Sequence, residues 1–146
     1  MENSLPYLKV DYRADLDILF CRWISRATSE QLQAGYLFLL DKAKDLAVNY
    51  WLFDLRSRGP ASPEDQNWLL QNFFPRVEAN FPGNHYFAYL VTPSHYTYVR
   101  ESVGMPLLQK YSARTSIYVF DSEQKAINWL ANSRQETTTG TNPVSS

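Results

Sequence analysis

The segment Tyr50-Trp-Leu-Phe-Asp-Leu-Arg-Ser-Arg-Gly-Pro-Ala-Ser-Pro-Glu-Asp65 constrains the fold more than any other. A short apolar run of β-forming residues ends in a polar turn, and the turn leads directly into a helix start. Trp51 to Leu55 is apolar at nearly every position, as in a central strand buried on both faces. Ser62 is a candidate N-cap, Pro63 suits the first helical position, and Glu64 and Asp65 suit the positive end of the helix dipole. This strand-turn-helix step belongs to an α/β domain, and such domains place their sites just past the carboxyl ends of the strands. It gives a place to look, not a reaction.

The same alternation runs through the rest of the chain. Leu8 to Tyr12 and Ile18 to Ile24 read as strands joined through Arg13-Ala-Asp-Leu-Asp17 as a hairpin. Thr28 or Ser29 caps a helix predicted to run to about Asn49, with Leu32, Tyr36, Leu39, Leu40, Ala43 and Ala47 on one apolar face. Trp68, Leu69, Phe73 and Val77 supply the inward face of the helix after Ser62, and Pro75 predicts a kink or an early end there. His85 to Val91 is the fourth strand. Thr92-Pro93 then opens a helix to about Val103, which Gly104-Met-Pro106 breaks. Leu107 to Arg114 carries no clear pattern. Ser116 to Phe120 is the fifth strand, and Asp121 caps a last helix whose Ala126, Ile127 and Leu130 face inward.

The order β-β-α-β-α-β-α-β-α predicts a single α/β domain over residues 1–132. Its sheet is expected to be five-stranded, mixed and largely parallel, with helices packed on it. From Ser133 onward the chain is polar, and 133–146 reads as a disordered tail. The ten Tyr, eight Phe and four Trp fall mostly inside the periodic segments, which makes a ring-rich core the expectation.

Composition narrows the function classes. The net charge is −1 and acids and bases are mixed, so there is no basic footprint for nucleic acid. The one cysteine, Cys21, allows neither an intramolecular disulfide framework nor a multi-cysteine zinc site, and its apolar strand makes it a buried thiol. The start of the chain lacks signal-peptide character and the apolar runs fall far short of a membrane span, so a cytoplasmic protein is expected. His85 and His95 are the only histidines and Cys21 is read as a buried strand thiol, so nothing completes a metal site and neither metal nor cofactor is expected. No nucleophile elbow, dinucleotide fingerprint or phosphate-binding loop is present.

The element order, with Trp51-Leu-Phe-Asp-Leu-Arg-Ser-Arg-Gly59 and Tyr118-Val-Phe-Asp-Ser-Glu-Gln-Lys-Ala-Ile-Asn-Trp-Leu130, resembles the SpoIIAA-like family, related to the STAS domains of anti-sigma-factor antagonists. Asp-Leu-Asp-Ile-Leu-Phe-Cys-Arg-Trp23 is similar to that family's second strand. The resemblance covers roughly Leu8 to Leu130. It implies a compact domain that binds partners or small ligands and is not an enzyme. Phosphorylated STAS antagonists carry an Asp-Ser-Ser-Gly type of motif at the start of the helix after the third strand. Arg58-Gly-Pro-Ala-Ser-Pro-Glu-Asp65 stands there instead, and Glu64 and Asp65 would repel a phosphate on Ser62.

Two candidate clusters follow. Asp54, Arg56, Arg58 and Ser62 lie past the end of the third strand, where two arginines and helix amides would hold an anion. The plain alternative is that Asp54 pairs with an arginine and Ser62 only caps. His95, Tyr96, Tyr98 and Arg100 lie past the fourth strand on the same sheet edge, and Tyr and Arg are the types that anchor interfaces. The leading expectation is therefore a regulatory protein-interaction module, and a homodimer is compatible with it. The alternative is a domain that binds a small apolar ligand or lipid, which an aromatic-lined apolar pocket would favour.

Overall fold

The computed structural model describes residues 4–102 and 108–140. The strands are β1 (Ser4–Leu5), β2 (Leu8–Arg13), β3 (Ile18–Trp23), β4 (Tyr50–Asp54), β5 (His85–Leu90), β6 (Leu108–Ser112) and β7 (Thr115–Phe120). They form one sheet in the order β1-β2-β3-β4-β5-β7-β6. β3, β4, β5 and β7 run parallel, while β1-β2, β2-β3 and β6-β7 are antiparallel. The α/β class therefore holds, but the five-stranded, largely parallel sheet is corrected to a parallel centre with antiparallel margins. The two unexpected strands are margins. β1 is two residues long, and β6 pairs with β7 through a register shift between Lys110 and Ser112, which blurs any alternation.

The helices are α1 (Ser29–Leu46), α2 (Pro63–Trp68), α3 (Phe74–Asn80), α4 (Pro93–Thr97) and α5 (Glu123–Gly140). Thr28 caps α1 in a full capping box with Gln31, and Ala47 closes it in the left-handed region, two residues before the predicted end. Ser62 accepts from the Asp65 amide at the start of α2. A π-helical turn, Leu69–Phe73, joins α2 to α3, with the Phe74 amide donating to the Leu69 carbonyl. Pro75 explains it: proline cannot donate and would collide with the carbonyl four residues back, and a wider turn relieves both. A second π-turn, Tyr98–Ser102, continues α4. Ser122, not Asp121, caps α5, its hydroxyl accepting from the Lys125 amide. α5 also continues through 133–140, where the sequence reads as tail. Ser133 falls on the stripe of Ala126 and Leu130 and is buried with them, and nothing between Ser133 and Gly140 breaks a helix. Residues 141–146 lie outside the described residues.

Strand alternation sorts the core into two layers. Leu19, Cys21, Trp23, Trp51, Phe53, Phe87 and Val119 face α1 and the α2–α3 helix. Ile18, Phe20, Tyr50, Leu52, Ala88, Leu90 and Phe120 face α5. On the first side α1 comes very close to the sheet. A Cβ on Gly35 would lie 2.5 Å from Trp23 Cη2, so glycine is the residue that lets the indole fit.

Candidate functional site

The chain leaves β4 at its carboxyl end and diverges. Asp54 is the last residue of the strand and points toward α5. It accepts from Arg22 Nη1 at 2.9 Å, from Arg56 Nε and Nη2 at 2.9 and 2.8 Å, and from the Arg56 amide at 3.1 Å. Arg22, its register partner on β3, reaches Glu123 at the start of α5 through two 3.0 Å bonds. Arg56 lies 3.5 Å from the same carboxylate. Two arginines and two acids thus close a neutral network that joins β3, β4 and α5. Burial pushes the Asp54 carboxyl up, but the Arg56 side chain and amide, with Arg22, outweigh it and hold its pKa below the ordinary value. The Arg22 hydrogen bonds hold Glu123 low as well.

Arg58, two residues further on, goes to the other face. The turn from Leu55 closes with the Gly59 amide donating to the Leu55 carbonyl at 2.8 Å, and Gly59 takes a φ of 81° that favours glycine. Arg58 is only 9% exposed. Its Nη1 donates to the Tyr36 hydroxyl at 3.1 Å, its Nε donates to the Gly59 carbonyl at 3.3 Å, and its guanidinium lies 5.1 Å from the Trp23 ring centre. No acid pairs with it among the described residues.

Arg58 opens onto a cavity of about 270 Å³ at the carboxyl ends of β4, β5 and β7. Leu55, Val91, Ile117 and Val119 line its sheet side, Leu69, Leu70 and Phe74 its α2–α3 side, and Val99 and Tyr98 its α4 side. Tyr36, Tyr89 and His95 make the polar part with Arg58, and Gln66, which donates to the Ala61 carbonyl, adds a further polar side chain. Burial drives the Tyr36 pKa up against the pull of Arg58, and drives Tyr89 further up, so both remain protonated. Burial, then the charge of Arg58, lowers the His95 pKa and keeps the ring neutral at neutral pH. A second depression, of about 220 Å³ between α1 and α3, mixes Leu37, Leu40 and Phe81 with the exposed Asp41, Lys44, Arg76 and Asn80.

The predicted anion cluster is therefore split. Asp54 and Arg56 belong to the ion network, Ser62 is occupied as a cap, and Arg58 alone reaches the cavity. Of the second cluster, His95 and Tyr98 line the cavity. Tyr96 packs against the core, and Arg100 pairs with Glu101 at 2.7 Å on the surface. Arg22, Glu123, Tyr36 and Tyr89 are not among the residues that the sequence points to as site residues. Arg22 had a signal, as the one charged residue in an apolar strand; the tyrosines read as core and gave none. At the opposite end of the sheet, Glu78 accepts from Ser112 and Thr115, and Arg114 donates to the carbonyls of Glu78, Phe81 and Gly83. These bonds tie α3 to the β6–β7 turn. Buried His85 donates from Nε2 to the Phe81 carbonyl beside them.

Among the described residues no three His, Cys, Asp or Glu converge on a metal position, and no helix is long and apolar enough to cross a membrane. Comparison with protein families, curated proteins and solved structures finds no match for this chain.

Proposed function

We propose that this domain binds a small, mainly apolar molecule in the cavity at the carboxyl ends of β4, β5 and β7. One observation carries the reading: about 270 Å³ of open volume walled by aliphatic and aromatic side chains, with a few polar groups on one side. That combination characterises small-molecule sites. An apolar cavity of about 150 Å³ takes up benzene, so this one has room for a single ring or short chain carrying a headgroup.

The SpoIIAA-like resemblance leads to a second reading, a protein-interaction module. It is favoured by Leu70 and Tyr98, large side chains 48% and 56% exposed at the cavity's margin. Native mass spectrometry of the protein purified from its own cells separates the two. A small molecule lost on denaturation, and absent from the cavity-filling variant Val119→Phe, is the expected result. A bare chain, or one carrying a protein subunit, would replace ligand binding with the interaction module.

A further inference from the structure

We propose that the cavity selects a monoanion, a small carboxylic acid whose carboxylate pairs with Arg58 while its hydrocarbon body lies against Leu69, Phe74, Val91, Ile117 and Val119. This rests on the ligand-binding reading and adds the headgroup. A guanidinium more than nine-tenths buried needs a counter-charge, since an uncompensated buried ion is among the costliest features a fold can hold. Arg58 has a phenol, a carbonyl and an indole face as neighbours, none of them anionic. Arg22 and Arg56, at the same end of the same sheet, are both paired with acids although both are more exposed.

The charge of the lining fixes the charge of the guest. Arg58 is the one permanently charged group among the described lining residues, and His95 is neutral at neutral pH. One negative charge balances the cavity; a doubly charged phosphate would leave one over. The geometry suits a carboxylate as well. Guanidinium carries five N–H donors, and the protein takes two of them here. The rest can meet two carboxylate oxygens side by side. Tyr89, protonated and without a hydrogen-bond partner among the described residues, offers another donor on the same lining.

The test is calorimetry and ligand-observed NMR on the full chain with phenylacetate, phenylpropanoate, hexanoate and octanoate, each beside its primary amide. The expected result is that at least one acid binds and its amide binds about tenfold more weakly or worse, the size of a lost charge-assisted bond. Arg58→Met should bring the acid down to the level of the amide, and Val119→Phe should abolish both. Should Arg58→Met fail to fold, Arg58→Lys keeps the charge without the planar fork, and weakened acid binding with unchanged amide binding is expected. Amides that bind as tightly as acids would overturn the carboxylate inference and leave the ligand-binding reading standing. A protein that takes neither acids nor amides would overturn both.

Discussion

The two sides of the sheet end differently at the same edge. On the α5 side, the layer of Tyr50, Leu52, Ala88 and Phe120 closes under the network of Arg22, Asp54, Arg56 and Glu123, in which every charge is answered. On the α1 side, the layer of Trp23, Trp51, Phe53, Phe73 and Phe87 stops short of the edge and leaves a cavity with an arginine that no acid answers among the described residues. Arg56 and Arg58 are two residues apart in the chain yet serve opposite faces of the sheet at this one edge. The balanced side behaves as a staple. The unbalanced side is where a guest would complete the electrostatics.

That contrast can be broken in graded steps. The largest effect belongs to the ring cluster below the cavity. Phe73 is fully buried and contacts the rings of Tyr36, Trp51, Phe53, Phe74 and Phe87. Phe73→Ala should lower the stability measured in urea by about 3–5 kcal/mol. A loss under about 1 kcal/mol would mean that the aromatic side is loosely packed throughout and the cavity is not a special place in it.

Gly35→Ala comes next. The added methyl meets Trp23, whose indole also carries the Arg58 guanidinium. Overpacking should cost about 1–3 kcal/mol, beyond the small gain alanine brings to a helix. A displaced indole should also change the Trp fluorescence; a stabilised protein with unchanged emission would show that the contact has slack.

Asp54→Asn tests the balanced side. Arg22 and Arg56 are a third to a half exposed and can turn to water, so the expected loss is modest, about 1–2 kcal/mol. Its pH dependence is the sharper readout. The Asp54 and Glu123 pKa values both lie below ordinary carboxylate values in the folded state. Their contribution is therefore complete above about pH 4 and is lost as the pH falls through the depressed folded values. The gap between wild type and Asp54→Asn should be widest near neutral pH and shrink below about pH 4. A gap that stays constant would remove the network as the closure of that side.

The smallest effect is expected where the arginine lacks an acid. Arg58→Met relieves a buried charge but removes the bond to the Tyr36 hydroxyl and the contact with the Trp23 ring, so the two changes offset and the stability should move by no more than about 1 kcal/mol in either direction. A loss above about 3 kcal/mol, with an intact circular dichroism spectrum, would make Arg58 a structural brace for Tyr36 and Trp23.

Much of this was legible in the chain. The capping box at Thr28–Gln31, the Ser62 and Thr92 caps and the apolar β4 each follow from local chemistry, and local chemistry is what a sequence displays. The marginal strands were not legible, because a two-residue edge and a bulged ladder have no period to read. The site was half legible. Its position past β4 and β5 followed from fold logic. The separation of Arg56 from Arg58 did not, because a single turn after Asp54 decides which side each arginine takes. Glu123 lies 101 positions from the arginine it holds, and no local rule connects them. Tyr36 sits on a helix stripe that burial alone would explain.

Both π-turns border the cavity: Leu69, Leu70 and Phe74 come from one wall, Tyr98 and Val99 from the other. Each such turn holds one residue more than its α-helical equivalent. The extra residue is taken up within the turn itself, so the helix that flanks it keeps the faces it would have if unbroken. The outline of each helical wall is therefore set by one residue, and deleting it would flatten the bulge and reshape the cavity while the strands beneath keep their register.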